Sequence, residues 1–335
     1  MEQTDDLIRL VDTWRRRRIV VVGDFMLDHY IYGDAERLSP DAPVPVLRVR
    51  REEHVAGGAS NVCLDLRALH CDVDAVGVVG RDDAGKQLKA LLRKAGCKVT
   101  ALVHADDRPT TVKHNFVGLA QHRHPQKMFR ADHETTGPLD DTAAATLIEH
   151  VDHLLDGAAA LCIEDYNKGV LCEPVCRRLI ELAKKKRVPV LVDPAAIDDY
   201  AKYAHATCIT PNRTEAALAT TEGRGNGDTP QAMAHALAQR LSIDHVVITL
   251  DRDGALLLSK GRAPRVMPTV ARSVYDVTGA GDMVLAMLAA ARANGATWTQ
   301  AVELANVAAG LEVERFGCVP IPLEDVHYAL LQKHH

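Results

Sequence analysis

Apolar residues along this chain fall into two kinds of run. The short uninterrupted ones, at 18–25 (RIVVVGDF), 73–79, 160–164, 188–193 and 245–250, read as strands buried on both faces of a parallel sheet. Between most of them lie helix-length stretches with apolar residues every three or four positions, at about 59–69, 84–95, 140–155, 174–186, 229–241 and 280–294, with two more before the C-terminus. That alternation predicts a doubly wound α/β sheet. Two stretches break it: 29–51, with apolar alternation and three prolines, and 110–130, with TVKHNFVG and KMFRAD. Strands there have no partner helix, so they predict a small sheet projecting over one end of the main one as a lid. Its exposed face needs covering, and the lid of a second copy would do so, which makes a homodimer the expectation. No internal repeat is evident, and 222–228 (EGRGNGD) reads as a loop.

Composition narrows the partners. With 335 residues, 47% hydrophobic and 25% charged, the chain has the make-up of a folded globular protein. We read it as a single domain over 1–335. A net charge of −5 gives no ground for a nucleic-acid or anionic-membrane partner. The basic cluster 15–18 precedes a strand and the cluster 184–187 ends a predicted helix, where cations complement exposed carbonyls. No apolar run approaches a membrane span, and MEQTDDLIRL lacks the order of a secretory signal, so a cytoplasmic protein is expected. Eight cysteines without CxxC spacing predict reduced core residues, and His122 and His124, without companion ligands at usual spacing, predict surface rather than metal.

The chemistry concentrates in a few motifs. In DVTGAGD (276–282), followed by the helical run MVLAMLAAARA, Gly279 and Gly281 let the backbone turn tightly and aim N–H groups outward at a helix N-terminus. An anion belongs there, and Asp282, in the first helical turn, is placed to accept a proton from a hydroxyl attacking a phosphate. Alone, the motif reads better as a glycine turn with a stabilising first-turn aspartate. Gly57-Gly58-Ala59-Ser60-Asn61 precedes a helix, and its amide can both donate to and accept from hydroxyls, or it is a glycine turn at a helix start. Gly23-Asp24 ends the first strand and Asp28 follows, offering carboxylates at the sheet edge where α/β ligands bind. Asn212 and Glu215 (PNRTE) suit a hard cation, or the reciprocal caps of a helix start.

In this order along residues 18–330, these motifs resemble the ribokinase-like (PfkB-type) carbohydrate kinases. The resemblance implies a three-layer αβα sandwich with a mostly parallel central sheet and a β-sheet lid, working on ATP with Mg2+. It implies Asp282 as catalytic base, with the backbone N–H groups of Gly279, Ala280, Gly281 and Asp282 as anion hole. Gly57, Gly58, Asn61 and Asp24 would lie against the sugar, Asp24 being preferred to Asp28. Asn212 and Glu215 would position magnesium and the ATP phosphates, Glu215 through water. Thr249, Asp251, Gly254, Asn306 and Gly310 would complete the nucleotide side. Relatives often carry glycine where this chain has Asp251, so an acidic side chain there faces the ribose or solvent instead.

Three stretches, ERLSPDAPVPVL (36–47), RPTTVKH (108–114) and EDYNKGVL (164–171), look closest to the bacterial heptose 7-phosphate kinases. That match implies phosphorylation of D-glycero-β-D-manno-heptose 7-phosphate at its anomeric oxygen, giving the 1,7-bisphosphate used for lipopolysaccharide core heptose. Some relatives fuse an adenylyltransferase domain, and none is expected within these residues. A phosphorylated substrate needs cations away from the base, and Arg108, Lys113, Arg130 and Lys168 are the candidates. Rival readings are a kinase of the same fold for ribose, fructose phosphate or a nucleoside, and a nucleotide-sensing or scaffold protein without catalysis. A binding module has no need of Asp282, and a dinucleotide oxidoreductase would carry GxGxxG after its first strand.

Overall fold

The computed structural model describes residues 2–120, 123–220, 229–269, 277–315 and 317–334. The first half contains α1 (Glu2–Asp12), β1 (Arg18–Gly23), β2 (Phe25–Leu38), β3 (Pro45–Gly58), α2 (Ala59–Ala68), β4 (Asp72–Gly80), α3 (Asp83–Lys94), β5 (Leu102–Ala105), β6 (Thr111–Ala120), β7 (Arg123–His133) and α4 (Asp141–Leu154). There follow β8 (Ala160–Glu164), α5 (Glu173–Lys186), β9 (Val190–Asp193), β10 (Cys208–Ile209), α6 (Arg213–Thr220), α7 (Pro230–Leu241) and β11 (His245–Thr249). The last are β12 (Ala255–Ser259), β13 (Arg265–Met267), α8 (Ala280–Ala293), α9 (Trp298–Glu312) and α10 (Leu323–His334).

Among the described residues the main sheet runs β13-β12-β11-β10-β9-β8-β1-β4-β5. Strands β5, β4, β1, β8, β9, β10 and β11 pair parallel in that order, and β12 and β13 extend the sheet antiparallel beyond β11. In β1, Ile19, Val20, Val21 and Val22 are all fully buried. Successive strand side chains face opposite ways: Ile19 and Val21 join one core with α2, α8 and α9, whereas Val20 and Val22 join the other with α4, α5 and α7. This is the expected three-layer sandwich. Helix α8 is buried from Asp282 through Ala291 and packs on α2 and α9, so its N-terminus is fixed at the sheet's carboxyl edge.

The second sheet, β3-β2-β6-β7, is the expected lid. It grows straight from the central strand, because β2 begins one residue after β1 ends, with Asp24 between them. The lid strands start earlier and reach further than the alternation predicts: β2 opens at Phe25 and β3 extends to Gly58, with the proline-rich 39–44 as the turn. Met26 pairs with Gly57, and a side chain at Gly57 would come within 2.6 Å of an Asp28 carboxylate oxygen, so the paired glycines serve a close strand crossing. The predicted helices reappear within a residue or so, held by caps at Asp82, Asp140, Thr229 and Thr297. Helix α1, read only for its lack of a signal, is amphipathic: it buries Leu7 and Val11 and packs on α10. All eight cysteines are free and six are buried. Among the described residues no helix is long and apolar enough to cross a membrane. The loop 222–228, His122 and Asp276 lie outside the described residues.

Candidate active site

A cavity of about 670 Å³ opens at the carboxyl edge of the sheet, between the ends of β8, β9 and β11 and the start of α8. This is the crevice where a doubly wound sheet collects its ligand groups. Gly279, Gly281, Asp282, Lys168, Asn212, Glu215 and Thr249 line it. The structure therefore gathers Asp282, the glycine turn and three of the residues expected on the nucleotide side around one space.

Gly279 caps α8 with φ +94, a left-handed conformation that a side chain would strain, and a Cβ there would lie 2.5 Å from Glu312 Oε1. Among the described residues no side chain caps the helix; Ala280 N reaches the Val277 carbonyl at 3.4 Å, and the amides of Gly281 and Asp282 are left to a ligand. Asp282 is buried in that turn. Its Oδ2 accepts from Asn61 Nδ2 at 2.8 Å and its Oδ1 from the Tyr166 hydroxyl at 3.0 Å. Burial pushes its carboxyl up to about 6, against the opposing pull of these two donors. Asn61, expected against the sugar, thus reaches Asp282 itself.

Asp24 is buried, and its Oδ2 holds the amides of Tyr166 at 2.8 Å and Lys168 at 3.1 Å. Burial, with Asp165 nearby, raises it to about 6. One oxygen thus braces the loop after β8, while Oδ1 has no partner among the described residues. Asp28, the less favoured of the two in the sequence, is a buried residue of β2 rather than of a turn, and its Oδ1 is also without a partner. Burial raises its carboxyl, and Lys113, Arg130 and Lys127 pull it back. Asp28 is therefore the carboxylate that faces the lid's cations.

Those cations differ. Lys168 Nζ bonds Glu134 at 2.8 Å, and Arg130 makes two bonds to Asp132, at 2.7 and 2.8 Å. Arg108 donates to the Gly137 and Lys168 carbonyls and so braces the same loop as Asp24. Lys113 Nζ lies 4.7 Å from the centre of the Tyr166 ring. On the nucleotide side, Asn212 and Glu215 form reciprocal caps, Asn212 N to Glu215 Oε2 and Glu215 N to Asn212 Oδ1, both 2.9 Å. Asp251, Gly254, Asn306 and Gly310 do not line the cavity. Asn306 ties down Met267 and Pro268, and Asp251 is exposed with φ +52, a left-handed conformation that glycine adopts more readily than an aspartate.

Sequence reasoning missed Glu164, Asp193 and Tyr166. Glu164, Asp193 and Asp282 bring carboxylate oxygens within 4.8 Å of one another. Glu164 is buried with Oε2 unpartnered, and Thr210 Oγ1 donates to Asp193 at 3.0 Å. Burial and mutual repulsion hold Glu164 and Asp193 well above the usual carboxylate range. A divalent cation with oxygen ligands fits this donor set, with Glu215 close enough to add its repulsion at Asp193. The available signal was that β8 and β9 each end in an acid at the sheet's carboxyl edge.

The sequence profile of the pfkB family carbohydrate kinases matches residues 16–325. The chain is 39% identical over 317 residues to the bifunctional protein HldE of Paramagnetospirillum magneticum, which covers 95% of this chain and 64% of that protein. It is 39% identical over 334 residues to the bifunctional protein HldE of Rhodospirillum rubrum, covering 99% of this chain and 66% of that one. The chain thus spans just under two thirds of the length of these curated relatives. Among solved structures, phosphofructokinase-2 from Escherichia coli in complex with potassium has a TM-score of 0.79 at 19% identity, covering 96% of this chain and 100% of that one. Ribokinase from Arabidopsis thaliana complexed with ribose and ATP has a TM-score of 0.71 at 21% identity, covering 94% and 99%. At these identities the structural likeness concerns the fold.

Proposed function

The chain belongs to the pfkB family of carbohydrate kinases, and from that premise we propose that it transfers the γ-phosphoryl group of ATP to the anomeric oxygen of D-glycero-β-D-manno-heptose 7-phosphate. The product is the 1,7-bisphosphate, on the way to lipopolysaccharide heptose in the cytoplasm. Resemblance of three sequence stretches and the HldE relatives support the sugar. One observation carries the chemistry: a buried carboxylate, Asp282, sits between two neutral donors beside the start of α8, at the floor of a cavity of about 670 Å³.

Asp282 takes the proton of the anomeric hydroxyl as that oxygen attacks the γ-phosphorus, and the bond to the β-phosphate oxygen breaks to release ADP. A carboxyl raised to about 6 is still ionised at neutral pH, and it is a stronger base than an ordinary carboxylate. The first-turn amides from Gly279 to Asp282 hold the phosphoryl oxygens where charge develops. Asp28 and the partly buried Lys113 face the sugar from the lid, with Asn61 and Asp24 behind. Glu215, Asp193 and Glu164 would hold Mg2+, in part through water, which when bound offsets phosphate charge. Phe129, 54% exposed on the lid and stacked on Phe116, marks the face that a second copy would cover in the homodimer, and sedimentation as a monomer at micromolar concentration would remove that part.

The test is coupled ADP release with the heptose 7-phosphate beside unphosphorylated heptose, ribose and fructose 6-phosphate. The expected result is a preference in kcat/KM of about tenfold or more for the phosphorylated heptose. Equal rates across the panel overturn the substrate, and no ADP release with any sugar overturns the activity.

A further inference from the structure

A base set beside a nucleotide phosphate is open to water as well as to sugar. What stands against that here is the occupancy of Asp282. Among the described residues the donors within hydrogen-bond distance of its carboxylate are Asn61, on Oδ2, and Tyr166, on Oδ1. Asp28 and Lys113 from the lid, Glu164 and Asp193 from the sheet, and Asp65 from α2 face it as charges without such a bond.

The two donors are mounted differently. Asn61 is fully buried on α2. Tyr166 is half-buried, lines the cavity and stands on the loop after β8. That loop is set without any ligand: Asp24 holds its amides, Asn167 and Gly169 take positive φ to reverse it, and the Lys113 ammonium lies over the ring. The hydroxyl is thus delivered to the base from the side on which a substrate arrives, and only 4% of Asp282 is left exposed.

We propose that Tyr166 is a positioning residue that occupies the base until a sugar hydroxyl displaces it, and so keeps water from being phosphorylated in the sugar's place. A sugar brings contacts elsewhere in the site that offset the loss of the Tyr166 bond; water brings none. Without the tyrosine hydroxyl, water takes the vacated position, gives its proton to Asp282 and attacks the γ-phosphorus. The bond to the β-phosphate oxygen breaks, and ADP and inorganic phosphate leave.

The inference rests on Asp282 being the base, and the experiment separates the two. Phosphate release from ATP without sugar, and ADP release with the heptose 7-phosphate, are measured for the wild type, Tyr166→Phe, Asp282→Asn and the double variant. In Tyr166→Phe the ratio of hydrolysis to sugar transfer rises about tenfold, the worth of one hydrogen bond to a charged group. The double variant returns hydrolysis to the level of Asp282→Asn. A structural defect lowers both rates and leaves the ratio where it was, and an unchanged or lower ratio overturns the proposal. Sugar transfer surviving in Asp282→Asn instead overturns the base assignment.

Discussion

At the floor of the cavity Glu164, Asp193 and Asp282 crowd their carboxylates within 4.8 Å, and among the described residues no ion pair reaches any of them. On the lid-side wall, of whose four candidate cations only Lys168 lines the cavity itself, three that the sequence offered for a substrate phosphate are already engaged: Lys168 by Glu134, Arg130 by Asp132, Arg108 by two carbonyls. Uncompensated like charges are costly to bury, and a fold that keeps them has left room for ligands to supply the balance. Cations with protein partners are mainly bracing. Lys113 is the exception on the wall, since its contact is the Tyr166 ring and no carboxylate pairs with it among the described residues.

The sharpest way to break this contrast is to neutralise the floor. Asp282→Asn is expected to lower kcat about a hundredfold or more while ATP binding stays measurable by calorimetry, because it removes the base and spares the amides of α8. Near-normal turnover would mean that the crowded acids have no catalytic part.

Next in size is the wall. Lys113→Ala is expected to raise KM for the heptose 7-phosphate about tenfold with kcat within about threefold, the pattern of lost ground-state binding. Initial rates with the unphosphorylated heptose should respond much less. A matching loss with both sugars would show that Lys113 acts on Tyr166 and not on a phosphate.

How far this was legible follows from the same contrast. The glycine turn and the aspartate we propose as base sit in seven contiguous residues, DVTGAGD, so they can be singled out without tertiary information. The strands read well because a parallel strand buried on both faces must be an unbroken apolar run, as β1 and β8 are. Two-residue β10 and the antiparallel edge strand β13 have no such run to betray them. Tyr166 reaches Asp282 across 116 positions of sequence, and whether Lys168 is free depends on Glu134, 34 positions away. Spacing along the chain carries neither fact. Asp24 shows a subtler limit: the sequence singles out a carboxylate at a strand end, but one of its oxygens holds backbone amides of a loop the sequence does not pair with it.

A third effect comes from pH. With Asp282 raised to about 6 by burial, kcat/KM should fall about tenfold between pH 7 and pH 5 as the base takes up its proton. Stability responds in the other direction. A carboxyl whose folded value lies above its unfolded 3.8 costs stability when charged, a cost complete above pH 6 and gone below pH 4. The difference in unfolding free energy between the wild type and Asp282→Asn should therefore move toward the wild type by about 1–3 kcal/mol from pH 7 to pH 4. Chemical denaturation at both pH values checks it, and a difference that stays constant would remove the buried charge from the account.

The smallest effect discriminates best between bracing and binding. Lys168 and Glu134 have side chains only 19% and 21% exposed, so removing one leaves the other short of a partner. If the pair is a brace, Lys168→Ala raises KM for the heptose 7-phosphate no more than about threefold and loses about 1–2 kcal/mol of stability. Adding Glu134→Gln then recovers part of that stability without changing KM. If Lys168 is instead held in reserve for the substrate phosphate, Glu134→Gln alone frees the ammonium and lowers KM, and Lys168→Ala matches Lys113→Ala. Two KM values and one denaturation series decide whether the wall has one phosphate-holding cation or two.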